Sequence, residues 1–459
     1  MRAERIAIMW INIRRRLDKL SPAQIIVAYY LIAVVVSMSL LSLPVAIQPG
    51  AKWSFMDALF TAASAVSVTG LSVITVRDTF TVPGIFILMF VLQFGGIGVM
   101  ALGTFFWLII RKKIGLKERR LIMMDQNQTS MSGLVKLLKE ILFIIVIIEI
   151  IGALLLGLYF LKYFPTWQEA FLHGLFASVS ATTNGGFDIT GASLIPYAQD
   201  YFVVTINMLL ITLGAIGFPV LVELKSFLFR NKKSGPFRFS LFLKITTLTF
   251  LGLLIFGTVA IWGLEYNHFL SDKSLLDSFF YAFFQSTTTR SGGLATMDVN
   301  DFTDPTLFLM AALMFIGASP SSVGGGIRTT TFALNLLFLY HFARGRRAIK
   351  IFNRELHQDD IIKSLVVSIM AVLICFFAVL ILMVTENQSL LAIIFEVASA
   401  FGTTGLSMGI TPELSNIGKM VLIILMFIGR VGVISFLLII GGKTEKESVH
   451  YPKERVIIG

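Results

Sequence analysis

The chain has 459 residues, of which 56% are hydrophobic and only 14% are charged. Soluble domains carry about 25% charged residues, so this composition excludes a water-soluble protein with a surface of ordinary size. The formal net charge is +11, but the cations are grouped between apolar blocks. We therefore assign them to membrane topology and expect no nucleic-acid partner.

Long uncharged runs predict membrane-spanning helices, beginning with one that starts near Pro22. Neither the stretch between Lys19 and Lys52 nor the stretch between Asp78 and Arg111 contains a charged residue, and about 20 apolar residues suffice to cross a bilayer. Cation-rich segments alternate with cation-poor ones along the chain, which by the positive-inside rule puts both termini in the cytoplasm. The number of crossings must then be even.

Four stretches of the sequence share one pattern around a glycine. Each has a phenylalanine ten residues before the glycine and a hydroxyl residue six before it. The stretches are FTAASAVSVTGL (60–71), FASVSATTNGGF (176–187), FFQSTTTRSGGL (283–294) and FEVASAFGTTGL (395–406). The sequence therefore predicts four tandem repeats, each consisting of a span, a short apolar segment and a second span, which gives eight transmembrane helices.

The repeats define the boundaries along the chain. The predicted segments are a cytoplasmic N-terminus (1–20), repeat 1 (21–113), a cytoplasmic linker (114–139), repeat 2 (140–226), a second cytoplasmic linker (227–239), repeat 3 (240–344), a third cytoplasmic linker (345–361), repeat 4 (362–443) and a cytoplasmic C-terminus (444–459).

The short apolar segment of each repeat is the informative part. A helix of about 12 residues, such as the one predicted from Phe55 to about Ser67, covers only about 18 Å, so it must enter and leave the membrane on one side. Its carboxyl end carries a partial negative charge, and the glycine-rich stretch after it can offer backbone carbonyls to a cation. The sequence therefore predicts four re-entrant pore helices, with one ion-coordinating glycine after each.

The second span of repeat 3 is interrupted by ASPSSVGGGI (318–327), which predicts a broken helix. The corresponding stretches GGIGV, GAIGF and GRVGV of the other repeats predict no such interruption. In the last span, Arg430 is a charge at membrane depth, where charges are costly and usually functional. Two readings stay open: Arg430 could face a pore, or it could form a structural ion pair with a carboxylate such as Glu149, the only charge within its own span.

The four-repeat plan resembles the Trk/Ktr/HKT superfamily of potassium transporters, and most of all the membrane subunit of bacterial Ktr systems (KtrB/KtrD type). The likeness covers nearly the whole chain and rests on VTGL (68–71), NGGF (184–187), RSGGL (290–294), FGTTGL (401–406), FIGRVG (427–432), GLKER (115–119), GLSMGITPEL (405–414) and YPKERVIIG (451–459).

This resemblance implies channel-like potassium uptake across the plasma membrane through one pseudo-fourfold pore in a single all-α polytopic chain. It also implies a homodimer in the bilayer that sits on a cytosolic ring of RCK-type regulatory subunits of the KtrA/KtrC kind. Potassium is then the substrate ion, sodium is a possible activator, and a nucleotide acts only through the regulatory partner. No bound cofactor is expected in this chain.

The expected site has three parts. The selectivity filter that holds K⁺ is expected to comprise Val68, Thr69, Gly70, Asn184, Gly185, Gly186, Ser291, Gly292, Gly293, Thr403, Thr404 and Gly405. The gate is expected to comprise Ser319, Pro320, Ser321, Ser322, Gly324, Gly325, Gly326 and Arg430. Arg290 is expected to support the filter. A glycine at Gly70 favours potassium, because some sodium-transporting relatives have a serine there.

Two other function classes were weighed against this one. A secondary transporter that couples potassium to sodium or protons usually has inverted repeats and intramembrane carboxylates, whereas these repeats run in one direction and such carboxylates are scarce. A membrane enzyme is not expected, because the sequence lacks HExxH and GxSxG motifs. The coupled symporter remains the alternative.

Overall fold

The computed structural model describes residues 22–98, 123, 133–230, 237–346, 348–440, 452 and 454. The predicted cytoplasmic N-terminus, most of the 114–139 linker and most of the C-terminus lie outside these residues. Within the described ranges the chain is helical apart from one small antiparallel hairpin.

The helices follow one another in the same order in each quarter of the chain. The first quarter contains α1 (Pro22–Leu41), α2 (Phe55–Ser67), a short helix (Val76–Thr79) and α3 (Val82–Ile97). The second contains α4 (Leu134–Phe160), α5 (Trp167–Thr182), α6 (Tyr201–Ala215) and α7 (Phe218–Leu228). The third contains α8 (Leu241–Glu265), α9 (Leu275–Thr288), α10 (Asp304–Ile316) and α11 (Thr329–Ala343). The fourth contains β1 (Lys350–Ile351), β2 (Arg354–Glu355), α12 (Gln358–Thr385), α13 (Leu390–Gly402), α14 (Asn416–Val431) and α15 (Val433–Ile440).

Four long helices, α1, α4, α8 and α12, are long and apolar enough to cross a membrane in the described part of the chain. They expose large apolar side chains such as Leu31, Phe143 and Ile255, which a soluble protein would bury but a lipid-facing helix does not need to. In α12 only 22% of the most apolar window is buried. The outer surface therefore matches a hydrocarbon solvent.

The second helix ends at a glycine in the first quarter and is interrupted by one in the second and fourth quarters, which corrects one expectation. We expected GGIGV, GAIGF and GRVGV to continue as uninterrupted helix, yet α3 ends before Gly98, and Gly432 separates α14 from α15. Helices α6 and α7 meet at an angle of 103° around Gly217. The cause is a positive φ between 93° and 104° at all three glycines, which no α-helix contains.

A side-chain cap fixes where each short helix begins. Ser54, Thr166, Ser274 and Ser389 precede α2, α5, α9 and α13, and each hydroxyl oxygen accepts a hydrogen bond from a backbone N–H of the first turn. At α2 the Asp57 carboxylate also accepts from the Ser54 N–H at 3.1 Å, which completes a capping box. The polar caps therefore define four helix starts that hydrophobicity alone would leave open.

Close glycine contacts join two of the long helices, α4 and α8, to the short helix that follows each of them. On α4, a Cβ added to Gly152 would lie 3.0 Å from Leu210 Cδ1 and against Ser178 Oγ, and on α8 a Cβ added to Gly257 would lie 3.0 Å from Leu313 Cδ1 and against Ser286 Oγ. Both serines donate to a carbonyl three residues before the glycine, Glu149 O at 2.8 Å and Leu254 O at 2.7 Å. The second and third quarters therefore pack their short helices by the same contact.

We predict that Gly257→Ala lowers the thermal stability of the protein, because the added methyl group overpacks the contact with Ser286 and overpacking costs about 1–3 kcal/mol. Gly252→Ala on the same helix is the matched control, since its Cβ would meet no atom within 4 Å and alanine favours helix by about 1 kcal/mol. Melting in detergent should give a lower Tm for the first variant only. Equal Tm values would contradict the packing assignment.

Candidate functional site

The four predicted glycines lie together in one ring. A Cβ added to Gly70 would lie 2.8 Å from Gly186 Cα, and one added to Gly186 would lie 3.1 Å from Gly293 Cα. A Cβ on Gly293 would lie 3.4 Å from Gly405 Cα, and one on Gly405 would lie 3.0 Å from Gly70 Cα. Positions far apart in sequence are therefore neighbours around a closed circle.

Backbone oxygens lie between the glycines of this ring. The Gly185 carbonyl oxygen lies 2.7 Å from the place where a Gly70 Cβ would be, and the carbonyl oxygens of Thr69 and Thr404 lie even closer to the Cβ positions of Gly405 and Gly293. Each oxygen belongs to the residue before a ring glycine. The space that side chains would fill is thus occupied by carbonyl groups.

The three residues that end at each ring glycine, which we call the glycine segments (68–70, 184–186, 291–293 and 403–405), share one backbone conformation. The first residue of each has positive φ: 55° at Val68, 53° at Asn184, 74° at Ser291 and 46° at Thr403. The third residue does too: 90° at Gly70, 65° at Gly186, 72° at Gly293 and 94° at Gly405. Non-glycine residues rarely adopt such angles and do so mainly at functional sites.

The glycine segments begin within three residues of the carboxyl ends of the four short helices. α2 and α13 end at Ser67 and Gly402, with Val68 and Thr403 as left-handed C-caps. α5 and α9 end at Thr182 and Thr288. Because each helix carboxyl end carries roughly half a negative charge, four partial negative charges converge on one ring. The ring therefore favours a cation.

Buried hydroxyl groups hold the segments in place. Ser64 Oγ accepts from Gly70 N at 3.1 Å, and Ser399 Oγ accepts from Gly405 N at 3.0 Å. In the second quarter Ser180 Oγ instead donates to Phe187 O at 2.6 Å. The hydroxyl residue six positions before the glycine thus bonds to the ring glycine in the first and fourth quarters and to the residue after it in the second.

In the third quarter the hydroxyl that bonds beside the glycine segment belongs to Thr288, one residue after the aligned Thr287. Thr288 Oγ1 donates to Leu294 O at 2.6 Å, whereas Thr287 Oγ1 donates to Phe283 O in its own helix. The reason is a tighter turn after α9, where Gly292 N bonds to Thr288 O four residues back, while Gly185 N bonds to Ser180 O five residues back. The spacing alone could not show this shift.

Glycines on the second helices make room for the short helices. Added Cβ atoms on Gly95, Gly214 and Gly429 would collide with the carbonyl oxygens of Val66, Thr182 and Phe401 respectively. Each of these carbonyls lies four residues before a ring glycine. The three glycines thus let the second helices touch the ends of the short helices.

The α10–α11 loop (317–328) lies against two glycine segments. Ser291 Oγ donates to Gly402 O at 2.7 Å and Thr403 O at 2.9 Å, and it accepts from Gly325 N at 3.3 Å. A Cβ added to Gly324 would lie 2.6 Å from Ser291 Oγ, and one on Gly325 would lie 2.6 Å from Thr403 Oγ1. Gly324 and Gly325 are therefore needed because a side chain at either position would prevent the loop from packing this closely against the segments.

The same loop is bonded to the bend between α6 and α7, which we call the hinge of the second quarter. Ser319 N donates to Ala215 O at 3.0 Å, and Val323 N donates to Gly214 O at 3.3 Å. In the other direction Phe218 N donates to Ser321 O at 2.8 Å. Within the loop, Ser322 Oγ donates to Ser319 O at 2.6 Å, and Pro320 follows Ser319 at the turn. The loop therefore crosses from α10 to the bend between α6 and α7.

Two arginines lie at the ends of this network. Arg290 is fully buried and donates to Leu313 O and, at 3.4 Å, to Gly317 O at the carboxyl end of α10. Arg430 is part-buried and donates to Val323 O in the loop and to Gly95 O and Gly96 O at the end of α3, the last at 3.0 Å. Arg430 thus connects the loop to the first quarter.

The remaining predicted residues also lie in this region. The Asn184 amide, oriented by its neighbours, donates to Ala181 O at 2.8 Å and to Ile211 O on α6 at 3.2 Å. Glu149 is buried on α4, where its carbonyl accepts from Ser178 Oγ and its carboxylate Oε1 has no hydrogen-bond partner.

Sequence reasoning overlooked Arg328. Its guanidinium donates to Gly324 O and, at 3.5 Å, to Ser319 O, both in the α10–α11 loop. The signal was present in the sequence, because GGIRT (325–329) matches GGIGV (95–99) with arginine in place of the last glycine.

Comparison with known proteins shows the family to which the chain belongs. The model of the family described as TrkH, cation transport protein, matches residues 11–449. The chain is 62% identical to "Ktr system potassium uptake protein D" of Bacillus subtilis (strain 168), over 98% of this chain and 100% of that protein. It is 33% identical to "Potassium/sodium uptake protein NtpJ" of Enterococcus hirae, over 98% of this chain and 100% of that protein.

A solved structure has the same fold. The crystal structure of the potassium transporter TrkH from Vibrio parahaemolyticus superposes with a TM-score of 0.68 at 23% sequence identity, over 89% of this chain and 84% of that one. The chain therefore belongs to the TrkH family of cation transport proteins, and it is a multi-pass membrane protein. The resemblance stated from the sequence motifs is confirmed.

Proposed function

We propose that this chain is the ion-conducting subunit of a channel-like potassium uptake system in the plasma membrane. The observation that carries the proposal is the ring of four glycines, which lies where four helix carboxyl ends converge. Carbonyl oxygens can replace the water shell of a cation without a charged side chain. The filter is formed by the four glycine segments defined above.

The choice of potassium rests on the relatives and on Gly70. The two Bacillus subtilis relatives, 62% and 35% identical to this chain, are both named as potassium uptake proteins. The Enterococcus relative is named for potassium and sodium, which supports a role for sodium as a second ion or an activator. A glycine in the first segment is the residue that the family resemblance associates with potassium.

The α10–α11 loop is proposed as the gate. It contacts the third and fourth segments through Ser291 and the hinge of the second quarter through Ala215, and Arg430 ties it to α3. A loop that is bonded to the second, third and fourth quarters, and linked to the first through Arg430, can obstruct the path below the ring. Displacing it would open the path, and the charge of Arg430 would also repel a cation in the obstructed state.

The assembly is part of the proposal. Four repeats of span, re-entrant helix and interrupted second span give eight crossings, and the positive-inside distribution supports cytoplasmic termini. The relatives are named as parts of a Ktr system, which supports a partner subunit. We propose a membrane homodimer on an RCK-type cytosolic ring of nucleotide-binding subunits that control the gate.

Transport by the purified full chain in liposomes tests the function directly. With an outward potassium gradient, we expect the chain alone to accumulate rubidium tracer above empty liposomes, and excess external potassium to suppress this uptake. A chain that carries neither ion, with or without a cytosolic partner, would refute the proposal. Uptake that requires a proton or sodium gradient would favour the coupled symporter instead.

Gly70→Ser tests the filter assignment. The serine Cβ would meet Gly185 O at 2.7 Å in a backbone with φ of 90°, so we expect rubidium uptake to fall about tenfold, the effect of a strain near 1.4 kcal/mol, and the preference for potassium over sodium to decrease. Gly50→Ser is the matched control, because Gly50 has φ of 87° and nothing within 4 Å of its Cβ position. We expect Gly50→Ser to keep the wild-type ion preference. If Gly70→Ser also kept it, the filter assignment would be wrong.

A further inference from the structure

Arg328 has a backbone conformation that the other quarters give to glycine. Its φ and ψ are 81° and 143°. Gly98, Gly217 and Gly432 have φ of 99°, 104° and 93° and ψ of 132°, 129° and 143°. Gly98 follows the end of α3, Gly217 and Gly432 each lie between two helices, and Arg328 directly precedes α11. Glycine reaches this region without strain, whereas a residue with a Cβ is strained there.

Strain of this kind persists only where other interactions hold the residue in place. The Arg328 guanidinium supplies them. Nη1 donates to Gly324 O and, at 3.5 Å, to Ser319 O, and Nη2 lies 3.5 Å from Arg430 O on α14. Hydrogen bonds from an ionised donor are stronger than neutral ones. A single side chain thus spans both limbs of the α10–α11 loop and reaches the helix of the fourth quarter.

Arg328 joins two parts of the loop that have separate contacts. Gly324 abuts Ser291, and Ser319 is bonded to the hinge of the second quarter through Ala215 O. Ser319 Oγ also accepts from Thr329 Oγ1 at 3.0 Å, directly after Arg328. Releasing the guanidinium would therefore free the loop on the side that faces the glycine segments.

We propose that Arg328 is a positioning residue that latches the α10–α11 loop against the glycine ring. The strained backbone is retained because it aims the guanidinium back at the loop that precedes it. The proposal rests on the gate assigned in the proposed function. It makes a specific claim: glycine at this position relieves the backbone strain and at the same time releases the loop.

Hydrogen exchange of the full chain in detergent tests the latch without any transport measurement. In Arg328→Gly we expect the Val323 and Gly325 amides to exchange about tenfold faster, the factor that corresponds to losing one charge-assisted hydrogen bond, while Tm stays at or above the wild-type value. Unchanged exchange, or a marked fall in Tm with faster exchange throughout the protein, would overturn the proposal.

Rubidium flux into liposomes then tests the consequence for transport. Without any partner protein, Arg328→Gly should raise flux about tenfold and leave the potassium-to-sodium preference unchanged. Arg328→Lys keeps the charge but not the fork that reaches several carbonyls, so its flux should also rise. If the lysine variant behaved as wild type while the glycine variant leaked, the charge alone would matter and the latch would be wrong.

Asn353→Gly is the matched control. Asn353 has φ of 59° and lies in the exposed turn between β1 and β2, outside the α10–α11 loop and the glycine segments. Glycine there also relieves a positive φ, but it should leave exchange at Val323 and Gly325 and rubidium flux near wild type, and a rise equal to that of Arg328→Gly would overturn the latch. If no variant carried rubidium, the proposed function would fail, and hydrogen exchange would still decide the latch.

Discussion

The close approach of four backbones at Gly70, Gly186, Gly293 and Gly405 is the constraint on which the rest of the structure depends. A Cβ atom added at any of these positions would clash with a neighbouring backbone. A Gly70 Cβ, for example, would lie only 2.8 Å from Gly186 Cα. Hydrogen-bonded hydroxyls, helix caps and small residues on the second helices all serve this approach. Ser64 and Ser399 hold two glycine N–H groups, and Gly95, Gly214 and Gly429 let the second helices come close.

The same constraint explains why the region beneath the ring is asymmetric. In the first, second and fourth quarters a single glycine stands at the helix boundary. In the third quarter the whole α10–α11 loop stands there, and the last residue of that loop is Arg328. One quarter thus supplies the element that contacts the others. Ser291, Arg328 and Arg430 join this loop to the glycine segments, to itself and to α3. A symmetric ring with one asymmetric loop combines a selective site with a movable obstruction in a single chain.

Much of this arrangement could be predicted from the sequence, because it depends on spacing. The register of the four glycines gave the ring members, and the bounds of α2 coincide with the predicted Phe55–Ser67 helix. The breaks at Gly98, Gly217 and Gly432 were missed, because an isolated glycine inside an apolar run is compatible with a continuous membrane helix and only a positive φ distinguishes a hinge. The role of Thr288 in place of Thr287 depends on the tightness of one turn, which spacing does not encode.

The position of a bound cation tests the account most directly. Crystals of the full chain grown in potassium and exchanged into rubidium should give one dominant anomalous peak on the axis of the glycine ring, within coordination distance of the carbonyl oxygens of Thr69, Gly185 and Thr404. The peak should weaken in Gly70→Ser crystals. Rubidium bound elsewhere, with none inside the ring, would contradict the assignment of these four glycines as the ion site.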